Sequence, residues 1–315
     1  MQFTTKITIE KFQNPITYES KIMALGSCFA ENMSEKFDYF KFQNTTNPFG
    51  IIFNPVSIEK LVNRIVNKIE FTEKDIFFHN DLWHCYEVHS ELSNPNKEEF
   101  LKELNLLLFQ SFNSLIQTTH IIITYGTSWV YRNIESKEIV ANCQKVPQKQ
   151  FSKELLPIET IEKSIQNTIA LLQKITPSCN FIFTVSPVRH IKDGFIENQR
   201  SKSHLISAIH SNNQQPTTNN YFPSYEIMMD ELRDYRFYAE DMLHPNQVAI
   251  DYIWECFSEN YISDESQQVM VEVDSIQKSL LHRSFNPNSE RHQKFLENLQ
   301  QKINTLALKL PHITF

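Results

Sequence analysis

Two short segments far apart in the chain carry the side chains of a nucleophile, an acid and a base. Gly26, Ser27 and Cys28 open a helical pattern directly after an apolar run, and Asp241 and His244 stand three residues apart before another helix. Free N–H groups and the helix dipole at such a start favour a thiolate, so we expect a lowered pKa for Cys28. The spacing of three lets the carboxylate hold the imidazole Nδ1–H and leaves Nε2 free as a base. The two segments predict nucleophilic catalysis by Cys28 or, alternatively, by Ser27.

Each segment also has a simpler structural explanation. Ser27 could serve only as the N-cap of the helix, with Cys28 as a small buried side chain. Asp241 could cap its turn, with His244 on the surface ahead of a proline. The presence of both segments in one chain favours the catalytic interpretation.

Glycine is scarce, with four residues in 315, where average usage is about 7%. A chain so poor in glycine is expected to keep it where φ is positive or where another group approaches the backbone closely. Gly26, Gly50, Gly126 and Gly194 all lie in polar clusters. We interpret these clusters as parts of one site.

The elements that must position these residues follow from the hydrophobic pattern. Short apolar runs predict buried parallel strands, and they cover residues 22–25, 121–125 and 181–185. Helical patterns lie between and after them, at residues 57–69, 97–117, 158–175, 201–211 and 246–260, with a polar loop at 212–220. This alternation predicts an α/β, doubly wound parallel sheet. Ligands bind such sheets at the carboxyl ends of the strands, which is where three of the glycines lie.

Composition and charge limit the function classes. The chain is 41% apolar with a net charge of −7 and no basic cluster, so disorder and nucleic-acid binding are not expected. It shows no signal-peptide pattern and no run of about 18 apolar residues, so we expect a cytoplasmic protein without a membrane partner. Five cysteines, an odd number without close pairing, are expected to be reduced.

The hydrophobic pattern divides the chain into two parts. We expect an α/β domain over residues 1–261 and a helical extension over 262–315, which is polar with apolar positions at helical spacing. The extension is a possible surface for homo-oligomerisation.

Beyond these patterns, several sequence blocks resemble the GSCFA domain family, a distant branch of the SGNH/GDSL hydrolases. GSCFA itself stands at residues 26–30, and the other similar blocks cover most of residues 20–260. They are NPFGIIFNP (47–55), TYGTSWVY (124–131), VANCQKVP (140–147), TVSPVRHIKDG (184–194), SKSHL (201–205) and YFPSYEIMMDELRDYRFYAEDMLHPN (221–246).

The resemblance implies a flavodoxin-like SGNH fold and hydrolysis or transfer of an acyl ester. It places Cys28 in the position of the SGNH nucleophile and Ser27 in that of the preceding aspartate. Asp241 and His244 match the last SGNH block. The substrate is not implied by the resemblance.

The oxyanion hole of SGNH enzymes combines the nucleophile's N–H with a glycine N–H and an Asn amide. The resemblance makes Gly50 the candidate glycine and places Gly126, Thr127 and Ser128 where Gly-x-Asn is expected. The Thr127 or Ser128 hydroxyl could donate instead of an amide, and Asn142 is an alternative amide donor.

The remaining polar clusters suggest substrate contacts rather than a cofactor. His79, His84, Cys85 and His89 fit no common zinc spacing, so no metal is expected, and no coenzyme A motif is present. Arg189, His190 and His89 are candidates for binding an acidic or polar substrate group. An alternative for the arginine is an ion pair with an acid of the DELRDYR segment.

The sequence therefore predicts an acyl-ester hydrolase of the SGNH type, acting on a small-molecule or saccharide ester such as an acetylated carbohydrate. An acyltransferase that modifies a saccharide is the close alternative. The alternative from another class is a non-catalytic binding module that retains the pocket.

Overall fold

The computed structural model describes residues 4–212 and 219–315, which form ten strands and several helices. The strands are β1 (Lys21–Gly26), β2 (Gln43–Thr46), β3 (Ile76–His79), β4 (Leu82–Cys85), β5 (His120–Tyr125), β6 (Trp129–Asn133), β7 (Ile139–Val140), β8 (Phe151–Leu155), β9 (Asn180–Val185) and β10 (Asn219–Phe222).

The helices alternate with the strands of the main sheet. They are α1 (Cys28–Tyr39), α2 (Pro55–Val66), α3 (Lys97–Leu115), α4 (Ile158–Gln173), α5 (Phe195–Asn212), α6 (Ser224–Glu226, continued by a π-helical segment Ile227–Leu232), α7 (Gln247–Tyr261), α8 (Asp264–Leu281) and α9 (Glu290–Lys309).

Five strands form a parallel sheet in the order β2-β1-β5-β9-β10. Counted along the chain within that sheet, the order is 2-1-3-4-5, which is the flavodoxin-like order. The predicted α/β, doubly wound class is confirmed, as are the three predicted buried strands.

The two edge strands of this sheet were not predicted. β2 has the polar sequence QNTT, and β10 occupies residues 219–222, where a loop was expected at 212–220. The prediction of a loop is wrong for residues 219 and 220, and residues 213–218 lie outside the described residues. Edge strands are held by main-chain hydrogen bonds, so their side chains need not be apolar.

The buried strands pack their two faces into two separate clusters. Met23 and Leu25 contact the cluster built by α2, α3, α4 and α5, whereas Ile22 and Ala24 contact the cluster built by α1, α7, α8 and α9. Successive side chains of a strand point to opposite faces. This is why each central strand carries a continuous run of apolar residues.

The C-terminal helices contribute to the second cluster. Met270, Val273 and Ile276 of α8 and Leu299 and Leu306 of α9 are buried there. The predicted helical extension is present, and its apolar positions cover the outer face of the core. The domain boundary at residues 261 and 262 and homo-oligomerisation stay predictions. None of the described helices is long and apolar enough to span a bilayer.

Two small antiparallel sheets accompany the main sheet. One has the order β7-β6-β8, and the other is the β3-β4 hairpin. β6 begins four residues after the end of β5, so the three-stranded sheet starts near the carboxyl end of the main sheet.

Gly26 ends β1 with a φ of +138°, and a Cβ atom there would overlap the backbone of Thr124 in β5. Its N–H donates to Asn47 Oδ1 at 2.8 Å. Both the conformation and the close approach of β5 require glycine at this position.

We expect Gly26→Ala to lower the free energy of unfolding more than Gly194→Ala does, by about 1–3 kcal/mol, because only the first substitution overpacks its site. Gly194 also has positive φ, at +92°, but a Cβ there would meet no described atom within 4 Å apart from its own chain neighbours. Urea unfolding of both variants measures the difference. Equal losses would mean that β5 moves aside without cost.

Candidate active site

Ser27 and Cys28 lie at the carboxyl end of β1 in two different environments. Ser27 is the buried N-cap of α1, where its Oγ accepts a hydrogen bond from the N–H of Phe29 at 3.3 Å. Cys28 is the first residue of α1 and is partly exposed. Since the Ser27 hydroxyl serves as the cap, the thiol of Cys28 is the more accessible of the two predicted nucleophiles.

The pKa of the Cys28 thiol is raised, contrary to the expectation from its place at a helix start. Burial raises the pKa most, and the Glu31 carboxylate raises it further. The N–H groups of Phe29 and Cys28 and the charge of Lys202 lower it by less. Desolvation of the thiolate therefore outweighs the donors at the helix start and favours the neutral thiol.

Lys202 of α5 is a fully buried lysine at the carboxyl ends of β5 and β9. Its Nζ donates to the carbonyl oxygens of Gly126 and Ser186, both at 2.7 Å, at the ends of β5 and β9. Burial lowers the pKa of the Lys202 ammonium to about 7, while the Cys28 thiolate raises it. The charges of Cys28 and Lys202 are therefore coupled.

Lys202 was not among the predicted site residues, although its place in the hydrophobic pattern of the helix could have indicated it. It lies three and seven residues before the buried Leu205 and Ile209, on the face of α5 that packs into the core. A lysine on the apolar face of a helix is unusual enough to mark a site.

Asp241 and His244 are in direct contact, as their spacing predicted. His244 Nδ1 lies 2.5 Å from Asp241 Oδ2, and Asp241 Oδ1 accepts the N–H groups of Leu243 and His244 at 2.9 and 3.0 Å. These two N–H groups and then the imidazole lower the pKa of Asp241 to about 2. The pair is about half exposed, and it leaves Nε2 of His244 directed away from the carboxylate.

The segment after β9 is bonded to the turn that carries this pair. The N–H of Arg189 donates to the carbonyl oxygen of Leu243 at 3.2 Å. Burial lowers the pKa of the next residue, His190, to about 3, and the charges of Lys202 and His244 lower it as well. Cys28, Lys202, His190 and His244 thus form one chain of electrostatic interactions.

The two glycine N–H groups proposed as oxyanion donors have partners within the protein. The N–H of Gly50 donates to the carbonyl oxygen of Asn47 at 2.7 Å, and that of Gly126 to Phe53 at 2.8 Å. Gly50 has a φ of +74°, and a Cβ there would overlap His89. Both glycines shape the backbone here.

The hydroxyl groups after Gly126 are engaged as well. Ser128 Oγ donates to the carbonyl oxygen of Ser201 at 3.0 Å, and Ser128 is fully buried. Thr127 Oγ1 accepts the N–H of Trp129 at 3.0 Å and lies 2.8 Å from Ser201 Oγ. Ser201, which was also not predicted as a site residue, ties this segment to α5.

A cavity of about 280 Å³ opens beside these residues. Its lining includes Phe53, His89, Trp129, Tyr131, Asn142 and His190. It brings together four predicted site residues, His89, Thr127, Asn142 and His190, and also contains Cys143. Cys28 and His244 are not among its lining residues, so these two side chains lie outside this cavity.

Comparison with known proteins identifies the family. Residues 21–257 match the GSCFA family, and residues 273–315 match the GSCFA domain protein C-terminal domain. The chain belongs to the GSCFA family. No curated protein matches this GSCFA chain.

Among solved structures, the chain is similar to the family 3 carbohydrate esterase of Clostridium thermocellum and to a family 3 carbohydrate esterase from Talaromyces cellulolyticus. The first is 8% identical with a TM-score of 0.38, over 84% of this chain and 99% of that one. The second is 7% identical with a TM-score of 0.34, over 82% of this chain and 98% of that one.

Arg189 of this GSCFA chain packs on aromatic rings. Its guanidinium carbon lies 4.0 Å from the ring centre of Tyr238, 5.2 Å from that of Tyr235 and 5.8 Å from that of Phe195. It forms no ion pair with the described acidic residues, so the alternative of a pair within DELRDYR is wrong. Arg189 lines a neighbouring cavity of about 400 Å³ rather than the one that contains His190.

In the β3-β4 hairpin, the side chain of His84 is bonded to neighbouring protein groups. His84 Nδ1 lies 2.7 Å from Ser93 Oγ, and His84 Nε2 lies 2.9 Å from the carbonyl oxygen of His79. Within residues 4–212 and 219–315, no three His, Cys, Asp or Glu side chains are grouped to hold a metal ion.

Two substitutions are expected to move the pKa of Cys28 in opposite directions. Lys202→Met removes a cation and raises the pKa, which slows alkylation by iodoacetamide at neutral pH. Glu31→Gln removes an anion and lowers the pKa, which speeds alkylation. The pH dependence of Cys28 alkylation, followed by peptide mass, measures both.

Glu35→Gln is the matched control for Glu31→Gln, because Glu35 is exposed one turn further along α1. We expect its alkylation profile to equal that of the wild type. Shifts in the same direction for Lys202→Met and Glu31→Gln would contradict the electrostatic explanation and indicate altered burial of the thiol.

Proposed function

We propose that this chain hydrolyses an acyl ester, with Cys28 as the nucleophile, His244 as the base and Asp241 as the residue that orients it. The observation that carries the proposal is the 2.5 Å contact between His244 Nδ1 and Asp241 Oδ2. It fixes the imidazole with Nε2 free. The interactions from Cys28 through Lys202 and His190 to His244 support placing the nucleophile and the base in one site.

The proposed reaction has two steps. His244 takes the thiol proton as Cys28 Sγ attacks the carbonyl carbon, and the proton passes to the alcohol oxygen when the C–O bond breaks. Water then attacks the thioester, His244 takes a proton from the water and returns it to the thiol, and the carboxylic acid leaves. The raised pKa of Cys28 is the reason that a base is needed in the first step.

The adjacent cavity favours a short acyl group on a sugar as the substrate. Trp129 and Tyr131 give it flat apolar walls, and Asn142 and Lys153 add polar groups. Aromatic walls with a few polar contacts suit the two faces of a saccharide. We therefore propose an acetylated saccharide, with transfer of the acyl group to a saccharide hydroxyl as the alternative to hydrolysis.

A second candidate function is a binding module without turnover. The observation that favours it is the engagement of the Gly50 and Gly126 N–H groups and the Ser128 hydroxyl with partners in the protein. One missing oxyanion donor costs about 10²–10³ in rate.

Intact-mass labelling with p-nitrophenyl acetate tests the nucleophile. We expect an acetyl adduct on the wild type that is absent in Cys28→Ala and forms about 10²–10⁴ times more slowly in His244→Ala. Cys256→Ala is the matched control, because Cys256 is also partly exposed but lies on α7 and does not line the cavity, so it should leave the adduct unchanged. Ser27→Ala loses a helix cap, worth about 0.5–2 kcal/mol, but should keep the adduct.

Other results would change the assignment. Loss of the adduct only in Ser27→Ala would make Ser27 the nucleophile. Decay of the adduct in buffer supports hydrolysis, whereas decay only when an oligosaccharide is added supports transfer. A folded wild type that forms no adduct but binds acetylated oligosaccharide unchanged would support the binding module.

A further inference from the structure

The proposed hydrolysis needs hydrogen-bond donors for the oxygen that becomes negative when Cys28 attacks. The N–H of Cys28, at the first position of α1, has no partner within the helix. The candidate donors at Gly50, Gly126 and Ser128 are already bonded within the protein. A further donor must therefore come from another side chain at this end of the sheet, and Asn142 and His190 both line the adjacent cavity.

His190 offers a ring nitrogen that is not bonded within the described protein. Its Nε2 is buried and has no hydrogen-bond partner among the described residues, although the residue lines the cavity. A buried polar atom without a partner costs free energy, so such atoms are rare and often mark functional positions. A bound ligand atom would relieve this cost.

The backbone and the ring of His190 are both held in place. Its N–H donates to Asn198 Oδ1 at 2.8 Å. Its ring stacks on that of Phe53, with the centres 5.7 Å apart and the planes at 30°. A donor fixed before the reaction needs no reorganisation when charge develops.

The ring lies directly over the residue that follows β5. A Cβ at Gly126 would lie 3.2 Å from His190 Nε2 and 2.8 Å from Phe53 Cβ. Glycine at this position therefore makes room for the imidazole. In the SGNH pattern an Asn side chain, two residues further on, supplies the donor near this strand end, and here that position is held by the engaged Ser128.

His190 is suited to donate a hydrogen bond without exchanging protons. The groups that face it are Lys202 of α5, His244 of the Asp241 turn and the ring of Phe53. Burial lowers its pKa to about 3, with smaller contributions from Lys202 and His244, so the imidazole is neutral at physiological pH. A neutral imidazole protonated on Nε2 is a donor at that atom.

We propose that His190 is a catalytic residue whose Nε2–H donates a hydrogen bond to the oxyanion formed on the acyl group at Cys28. The inference rests on the proposed function. The proton stays on His190 throughout, and the negative charge returns from the oxygen to re-form the carbonyl when the intermediate collapses.

Two reactions of the same thiol separate this role from a structural one. Acylation by p-nitrophenyl acetate passes through an oxyanion, whereas alkylation by iodoacetamide displaces iodide and forms none. We expect His190→Phe, which keeps a ring against Phe53, to slow acylation of Cys28 about 10²–10³-fold and to leave its alkylation rate unchanged. His190→Gln supplies an amide donor and should recover part of the acylation rate, with the pH profile unaltered.

His120→Phe is the matched control. His120 is another buried imidazole, but it lies at the amino end of β5 and both its nitrogens have partners, Asn14 O and Thr119 Oγ1, at 2.9 Å. Its substitution should lower the melting temperature without changing acylation. Circular dichroism confirms folding of each variant.

Three results would overturn the inference. Equal slowing of acylation and alkylation in His190→Phe would show that His190 acts on the thiol or the fold. Unchanged acylation in both His190 variants would show that it donates nothing to the oxyanion. A wild type that is alkylated but not acylated at Cys28 would overturn the proposed function, and this role with it, before any His190 variant is compared.

Discussion

The site depends on one buried amine. Lys202 binds the carbonyl oxygens of Gly126 and Ser186, so the ends of β5 and β9 are joined by a side chain rather than by sheet hydrogen bonds alone. A buried ammonium is costly unless it is hydrogen-bonded, and two 2.7 Å bonds meet that need. The segments that follow these carbonyls carry Thr127 and His190. Lys202 therefore adds a second tie, beyond the sheet hydrogen bonds, at the point where the two segments begin.

Burial sets the electrostatic balance of the site. Burial raises the pKa of Cys28 and lowers those of Lys202 and His190. Desolvation disfavours the charged form of each of these three side chains, so their neutral forms are favoured. Such an environment makes the thiol dependent on a base and keeps His190 from acting as that base. The exposed Asp241 and His244 pair has the opposite character, because solvent and two backbone N–H groups stabilise its carboxylate. The proposed division of roles follows from this difference in burial.

The main sheet was largely predictable because its central strands are apolar on both faces. Ile22, Met23, Ala24 and Leu25 form a continuous apolar run since each face packs against helices. β2 and β10 could not be predicted from the same signal, because edge strands are held mainly by their backbone. The small sheets around β6 and β3 consist of short strands, and only their pairing in space shows that they exist.

For the candidate site, the sequence by itself determined what depends on neighbours in the chain. The contact of Asp241 with His244 needs one turn, and the capping of α1 by Ser27 needs two residues, so residue type and spacing sufficed. Only the tertiary structure decided which donors are engaged, since Gly50, Gly126 and Ser128 find their partners through the fold. The same holds for Lys202 and the unpartnered Nε2 of His190. Burial and long-range hydrogen bonds arise from packing between distant segments, so a local sequence pattern does not predict them.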